Sequence, residues 1–470
     1  MEGQRPVHGK PSFFKELRLA IQGKEKNFTE GSLRRAMFML AVPMILEMVM
    51  ESLFAVADIF FVSQVSVEAV AAVGLTESIL AIVYSVAMGL SMGAMAMISR
   101  RVGEKKPEKA AEVAVNALIT TVGISLLVAV PGITFAPDIL RLMGGSESLV
   151  ATGTGYIRWM MGGNVTIMLL FLINAIFRGA GDAAVAMRVL WLSNGLNMVL
   201  DPLFIFGWGP FPEMGVTGAA VATNIGRGVG VSWQLYLLFR SDMLIKLTRK
   251  ALVLSQELSV RLLKISAGGM GQFLISSASW IFLARIVAIS GSEALAGYTI
   301  AIRIIIFTIL PSWGLANAAA TLVGQNLGAG QPERAEKSAW LAAWYNAGFL
   351  AFVTLLFFLW SDGFIQLFSA EEGVVAHGTM ALRVISLGYI FYALEMVLGQ
   401  CFNGAGDTRT PTILNLAGYW LVQIPLAWVL AVEMGYGATG VFAAIAISSV
   451  MLALGAVLLF RRGKWKHTVV

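Results

Sequence analysis

Six carboxylates fall inside long apolar stretches of this chain: Glu47, Glu51, Asp58, Glu77, Asp201 and Glu395. An ionisable group in a membrane-crossing helix costs about 3 kcal/mol on insertion scales, which makes each a functional candidate by default. Glu47, Glu51 and Asp58 stand at i, i+4 and i+11. At about 100° per residue their rotations are 0°, about 40° and about 20°, so all three share one helix face. Three acids on one face are not left against lipid. The face is expected to line a cavity or meet polar partners, simple burial with hydrogen bonds being the plainer role for any one of them. Asn194, Asn197 and Asp201, at i, i+3 and i+7, fall within an arc of about 60° and form the expected partner face on a second helix. Two carboxylates with amide oxygens are hard ligands that suit a small cation, and carboxylates also take up protons. Pro43 lies upstream of Asp58 and Pro202 follows Asp201; both free backbone carbonyls and permit bending.

The elements that must position these groups follow from composition. Of 470 residues, 57% are hydrophobic and 13% charged, against roughly 25% charged in a soluble protein. Apolar runs long enough to cross a bilayer, at about 20 residues each, predict an all-α polytopic membrane protein rather than a β-barrel of short alternating segments. Twelve spans are expected, near 36–62, 69–98, 111–135, 151–177, 184–207, 214–239, 259–288, 294–324, 338–360, 375–402, 411–432 and 437–460. They are called spans 1 to 12 below. Lysine and arginine should gather on cytoplasmic connections. With both termini inside, those segments hold Arg5, Lys10, Lys15, Arg18, Lys24, Lys26, Arg34 and Arg35, then Arg100, Arg101, Lys105, Lys106 and Lys109, then Arg178. Arg240, Lys246, Arg249, Lys250, Arg334, Lys337, Arg409, Arg461, Arg462, Lys464 and Lys466 continue the alternation, and the outer connections hold Arg141 alone. The first 35 residues lack the apolar core of a signal peptide and read as a basic tail on anionic lipid.

The chain is duplicated. At an offset of 225, Glu68-Ala69 falls on Glu293-Ala294, Gly103 on Gly328, Pro107-Glu108 on Pro332-Glu333, Arg158 on Arg383, and FRGAGD at 177–182 on FNGAGD at 402–407. Six spans per copy is even, so the two copies enter the membrane in the same sense. Parallel repeats of this kind are a transporter architecture with the substrate site between the halves. The expected organisation is a tail over 1–35, a six-helix bundle over 36–239, a cytoplasmic linker over 240–258, a second bundle over 259–460 and a tail over 461–470. The duplicated GAGD segments lack a following Lys-Ser or Lys-Thr and so are not phosphate loops. Their glycines, Gly179, Gly181, Gly404 and Gly406, read as tight turns.

Taken in order, 'AVPMILE...ADIFFVS', 'AVAAVGL', 'LDPLFIFG', 'GVTGAAVAT' and the paired GAGD turns resemble the multidrug and toxic compound extrusion (MATE) family, from about residue 33 to 460. The resemblance implies a V-shaped, twelve-helix antiporter of the plasma membrane, the inner membrane in a cell with two, exporting organic and often cationic compounds for Na⁺ or H⁺. By matching position it places Asp58, Asn197 and Asp201 in a cation site of the first half, with Asn194 beside them and Thr223 as a weaker addition. Pro43 is the candidate hinge. Glu47, Glu51, Glu77 and Glu395 are the candidate cleft acids, facing a cationic compound in a low-dielectric space; ion pairing with Arg227, Arg285 or Arg303 is the alternative. In the second half, Asp58 corresponds to Leu283 and Glu51 to Ser276, which favours ion coupling in the first half.

Other function classes lack their residues. Cys401 is the one cysteine, and the histidines are His8, His377 and His467, which leaves no disulfide framework, thiolate metal site or histidine cluster. No cofactor, nucleotide or nucleic acid is expected, and the chain is read as a monomer among lipids. A flippase for lipid-linked sugars would favour a strongly cationic cleft, against which the six acids argue. A membrane enzyme would need a metal motif or nucleophile elbow. Met88, Met92, Met95 and Met97 read chiefly as helix packing, with an adaptable apolar wall as the alternative.

Overall fold

The computed structural model describes residues 13–24, 27–240, 243–248 and 251–470. Arg5, His8, Lys10, Lys26, Arg249 and Lys250 lie outside the described residues, as do parts of the expected N-terminal tail and linker. Every regular element among the described residues is helical. Span 1 is Leu33–Ser63, span 2 Val67–Gly103 and span 3 Pro107–Thr134. Span 4 is the bent pair Glu147–Gly162 and Asn164–Ala180; spans 5 and 6 are Ala183–Ile205 and Val216–Phe239. In the second half, span 7 is Gln256–Ala288, span 8 Ser292–Gly328 and span 9 Pro332–Gln366. Span 10 is the bent pair Glu372–Ser386 and Tyr389–Ala405, span 11 Arg409–Glu433 and span 12 Gly437–Arg461.

Eight of these helices are long and apolar enough to cross a membrane, or ten spans when each bent pair is counted once. The other two, spans 1 and 6, carry Glu47, Glu51, Asp58, Thr223 and Arg227. Spans 4 and 10 were expected to be continuous but bend by 41° and 57°. In span 4 the break falls at Gly162-Gly163, and the Asn164 side chain, fully buried, donates to the Met161 carbonyl there and to the Ser125 carbonyl of span 3. That side chain thus serves a carbonyl at the end of the interrupted helix and ties the break to span 3.

The duplication is geometric as well as textual. Spans 2 and 8 begin at 67 and 292 and end at 103 and 328, and the second parts of spans 4 and 10 run 164–180 and 389–405. Each of those parts ends in a left-handed glycine, Gly181 at φ +92° and Gly406 at φ +90°. Asp182 N–H donates to Phe177 O and Asp407 N–H to Phe402 O, closing equivalent helix caps. Gly179 and Gly404, expected in the turns, instead lie inside the helices. An added Cβ there would press on span 2 at the Met95 carbonyl and on span 8 at the Ala320 carbonyl. One glycine of each GAGD segment therefore serves the turn, and the other serves helix crossing.

The halves meet through symmetric pairs, span 1 on span 8 and span 2 on span 7. They close most tightly at Gly103 and Gly328, where an added Cβ on one helix would overlap the Gln325 carbonyl and on the other the Arg100 carbonyl. This end carries the basic connections and forms the apex of a V. Arg141, on an outer connection, is matched locally by Glu147 at 3.0 Å and Asp138 at 3.5 Å, so it adds little net charge there.

Glu108 and Glu333 are repeat equivalents, and both are exposed in the first turns of spans 3 and 9. Single cysteines at these positions, in a Cys401→Ala background, should react with an impermeant thiol reagent from the same side of the membrane. Reaction from opposite sides would rule out parallel halves. Gly103 and Gly328 themselves are too tightly packed to carry the probe.

Candidate functional site

The face predicted on span 1 does meet polar partners, and each acid meets a different set. Glu47 is 1% exposed and accepts from Arg178 at 2.8 Å and from Asn174 Nδ2 at 3.1 Å. Gln234 Nε2 donates in turn to Asn174 Oδ1 at 2.6 Å. Arg178 was expected to mark the cytoplasmic side, but it is buried against this carboxylate. Side chains in a helix lean toward its N-terminus, so a residue in the last turn of span 4 can reach back into the bundle. Asn174, Arg178 and Gln234 are partners that the spacing of the acids does not point to. Their signal in the sequence is polar character within helical apolar segments, with Asn174 and Arg178 at i, i+4 on one face.

One turn along span 1, Glu51 accepts from Asn194 Nδ2 at 2.9 Å. Span 5 then presents Asn197 and Asp201. With the Asn197 amide oriented to satisfy both neighbours, its nitrogen donates to Asp201 Oδ2 at 3.0 Å. Its oxygen accepts from the Thr223 N–H at 2.9 Å and hydroxyl at 3.1 Å. Asp201 is fully buried, and its Oδ1 has no hydrogen-bond partner. Asp58 is half-buried and within electrostatic range of Asp201, without a hydrogen bond to it among the described residues. Asn194 belongs to Glu51 rather than to this pair.

Glu77 is exposed on span 2 and is coupled electrostatically to Asp58 and to Arg227. Arg227, 5% exposed, is hydrogen-bonded to the Tyr84 hydroxyl at 3.3 Å and lies over the Phe54 and Tyr84 rings at 5.8 and 5.9 Å. A buried guanidinium is thus held by a hydroxyl and two aromatic faces. Among the described residues no three His, Cys, Asp or Glu side chains converge as a metal-holding group. The oxygen set at Asp201, Asn197 and Thr223, with Asp58 near, fits a proton or a small monovalent cation better than a tightly held divalent metal.

Two cavities lie near these groups. One of about 340 Å³ sits between the halves and is walled by spans 1, 2, 4 and 5 on one side and spans 7 and 8 on the other. Its lining includes Glu47, Glu51, Tyr84, Phe171, Phe273 and Trp313 together with Met88, Met92 and Met95. Three of the four methionines read mainly as packing are therefore also cavity wall, while Met97 is core at 2% exposure. The second cavity lies mostly in the C-terminal half, with Glu395, Tyr392, Tyr419, Ser276, Gln272 and Asn403 on its wall. Gln272 and Asn403 are joined by reciprocal amide hydrogen bonds of 3.0 and 3.1 Å. Glu77 borders neither cavity, and Pro43 lies buried within the continuous helix of span 1.

The MatE family model matches residues 43–203 and again 269–429, one copy in each half. A relative from Thermotoga maritima, described as the probable multidrug resistance protein NorM, is 28% identical over 93% of this chain and 94% of its own. A solved structure described as the outward-facing conformation of a multidrug resistance MATE family transporter superposes with a TM-score of 0.88 at 27% identity, covering 93% of this chain and 97% of that one. A second, a transporter of the same superfamily from Pyrococcus furiosus, superposes with a TM-score of 0.88 at 26% identity over 96% and 99%. Its description reports reverse polarity of the binding pocket and suggests a different function for that protein.

Proposed function

The chain belongs to the MatE family of multi-pass membrane transporters, and from that premise we propose that it is a secondary antiporter in the plasma membrane. It exports organic, lipophilic and cationic compounds in exchange for H⁺ or Na⁺, with both termini cytoplasmic, and it works by alternating access. The observation that carries the reading is Asp201: a fully buried carboxylate with one oxygen bound by Asn197 and the other without a partner. An acid in that position is stable when a proton or a small cation occupies it. Asn197, Thr223 and Asp58 supply the remaining oxygens within or near reach, which makes the first half the ion-coupling half.

The cavity between the halves suits the other side of the exchange. Its methionine and aromatic wall adapts to flat apolar compounds. Arg178 compensates Glu47, so Glu51 remains as the acid available to an organic cation there, and Glu395 plays that part in the second cavity. Rocking of the halves about spans 1 and 8 and spans 2 and 7 would carry the cavity from one side of the membrane to the other. Purified protein in liposomes loaded with a cationic dye tests this. Dye efflux should follow an imposed inward H⁺ or Na⁺ gradient without ATP, and no response to either gradient would overturn the reading.

A further inference from the structure

Both tails of the chain cross the closed apex of the V. The N-terminal segment 27–31 packs Phe28, 2% exposed, where the missing side chain of Gly181 in the first half leaves room. From the second half, Arg334 donates to the backbone oxygens of Phe28 at 3.3 Å, Glu30 at 3.0 Å and Gly31 at 3.0 Å. Glu30 also pairs with Lys105 of the first half at 3.6 Å. The C-terminal tail mirrors this arrangement. Trp465, fully buried, stacks on Phe460 of span 12 at 4.5 Å, and Lys466 pairs with Glu336 of span 9 at 2.6 Å. The tail then leaves the second half, and its Thr468 and Val470 oxygens accept from Arg100 at 2.8 Å and Arg101 at 3.1 Å, at the end of span 2.

We propose that the two tails form a paired latch that holds the halves closed at the Gly103 and Gly328 apex and so favours the conformer open on the opposite side. Each tail is anchored by a buried aromatic and tied across the gap by guanidinium donors to backbone oxygens. Opening the apex requires both ties to break, because their donors and acceptors belong to different halves or bridge them. A hydrogen bond from a charged donor shifts an equilibrium by roughly tenfold or more, so two such ties bias the two conformers strongly without touching the exchange site. The inference rests on alternating access but not on the identity of ion or substrate.

Spin labels on cysteines at 108 and 333, in a Cys401→Ala background of the full chain in lipid nanodiscs, report the separation of the halves at this end. Pulsed dipolar spectroscopy of the otherwise unaltered chain should show one dominant short distance. Arg334→Gln cuts the N-terminal tie, and Arg100→Gln with Arg101→Gln cuts both donors of the C-terminal tie; the aromatic anchors stay in place. Each should raise a longer-distance population roughly tenfold, and the combined variant should raise it further. Phe28→Ala, which loosens the N-terminal tail from its anchor, should act in the same direction. Distance distributions unchanged in all of these variants would overturn the latch. Because the distances are read without transport, an unaltered chain that shows no gradient-driven efflux while its variants show the latch response counts against the antiport reading alone.

Discussion

Asp201→Asn should stop gradient-driven efflux while the protein remains folded. The substitution keeps the size of the side chain and an oxygen for the Asn197 amide, but it removes the charge that a proton or Na⁺ must neutralise. Asp201 has no other hydrogen-bond partner among the described residues that could take over this charge. Efflux of a preloaded cationic dye under an imposed ion gradient should fall by roughly tenfold or more, within the range by which coupled sites influence one another. Equilibrium dye binding in detergent should change far less, since the dye cavity is walled by other residues. Stability should hold or rise, because a buried charge has been replaced by a neutral amide. Asp58→Asn should act in the same direction through its electrostatic link to Asp201. Normal efflux by a well-folded double variant would refute the site and turn attention to Glu77 and Glu395.

Arg178→Ala should be among the most destabilising single changes in the membrane-embedded core. It leaves the Glu47 carboxylate, 1% exposed, without its cation and with only the Asn174 amide as a donor. Breaking a buried pair by removing one partner costs about 3–5 kcal/mol. Glu47→Ala should cost a comparable amount, since it leaves the buried Arg178 guanidinium without its carboxylate. Glu47→Leu combined with Arg178→Met should recover much of that loss, because neither charge is then buried and the volume is roughly kept. Thermal unfolding in detergent, followed by tryptophan fluorescence, reads all three variants. Single variants as stable as the parent, or a double variant no better than either single, would show that the pair is not a structural tie. The pair would then be free to act as a cleft acid and its counter-ion.

The two predictions separate acids that the sequence places on one helical face. Glu47, Glu51 and Asp58 are one stripe by spacing, yet one is bound by Arg178, one by Asn194, and one is left near Asp201 and Glu77. The stripe, the spans, the sense of both halves and the turn glycines Gly181 and Gly406 were all determined by order along the chain. Helical periodicity, apolar run length, a fixed offset and the backbone freedom of glycine are properties of near neighbours in sequence, or of two copies compared position by position. They hold whatever the helices later pack against.

Tertiary structure alone decided the pairings. Periodicity sets the angle of a residue around its own helix, but not how far that helix slides or turns against another. Only packing brought Arg178 to Glu47 across 131 positions, moved Gly179 and Gly404 from turns to helix crossings, and broke spans 4 and 10. Only packing drew the N-terminal tail, which reads as a basic segment on lipid, and the C-terminal tail across the apex to Arg334 and Arg100. A buried charge in a low-dielectric interior must find its partner among whichever helices lie nearest. That choice is made by the sum of many small contacts over both halves, which no local pattern in the chain records.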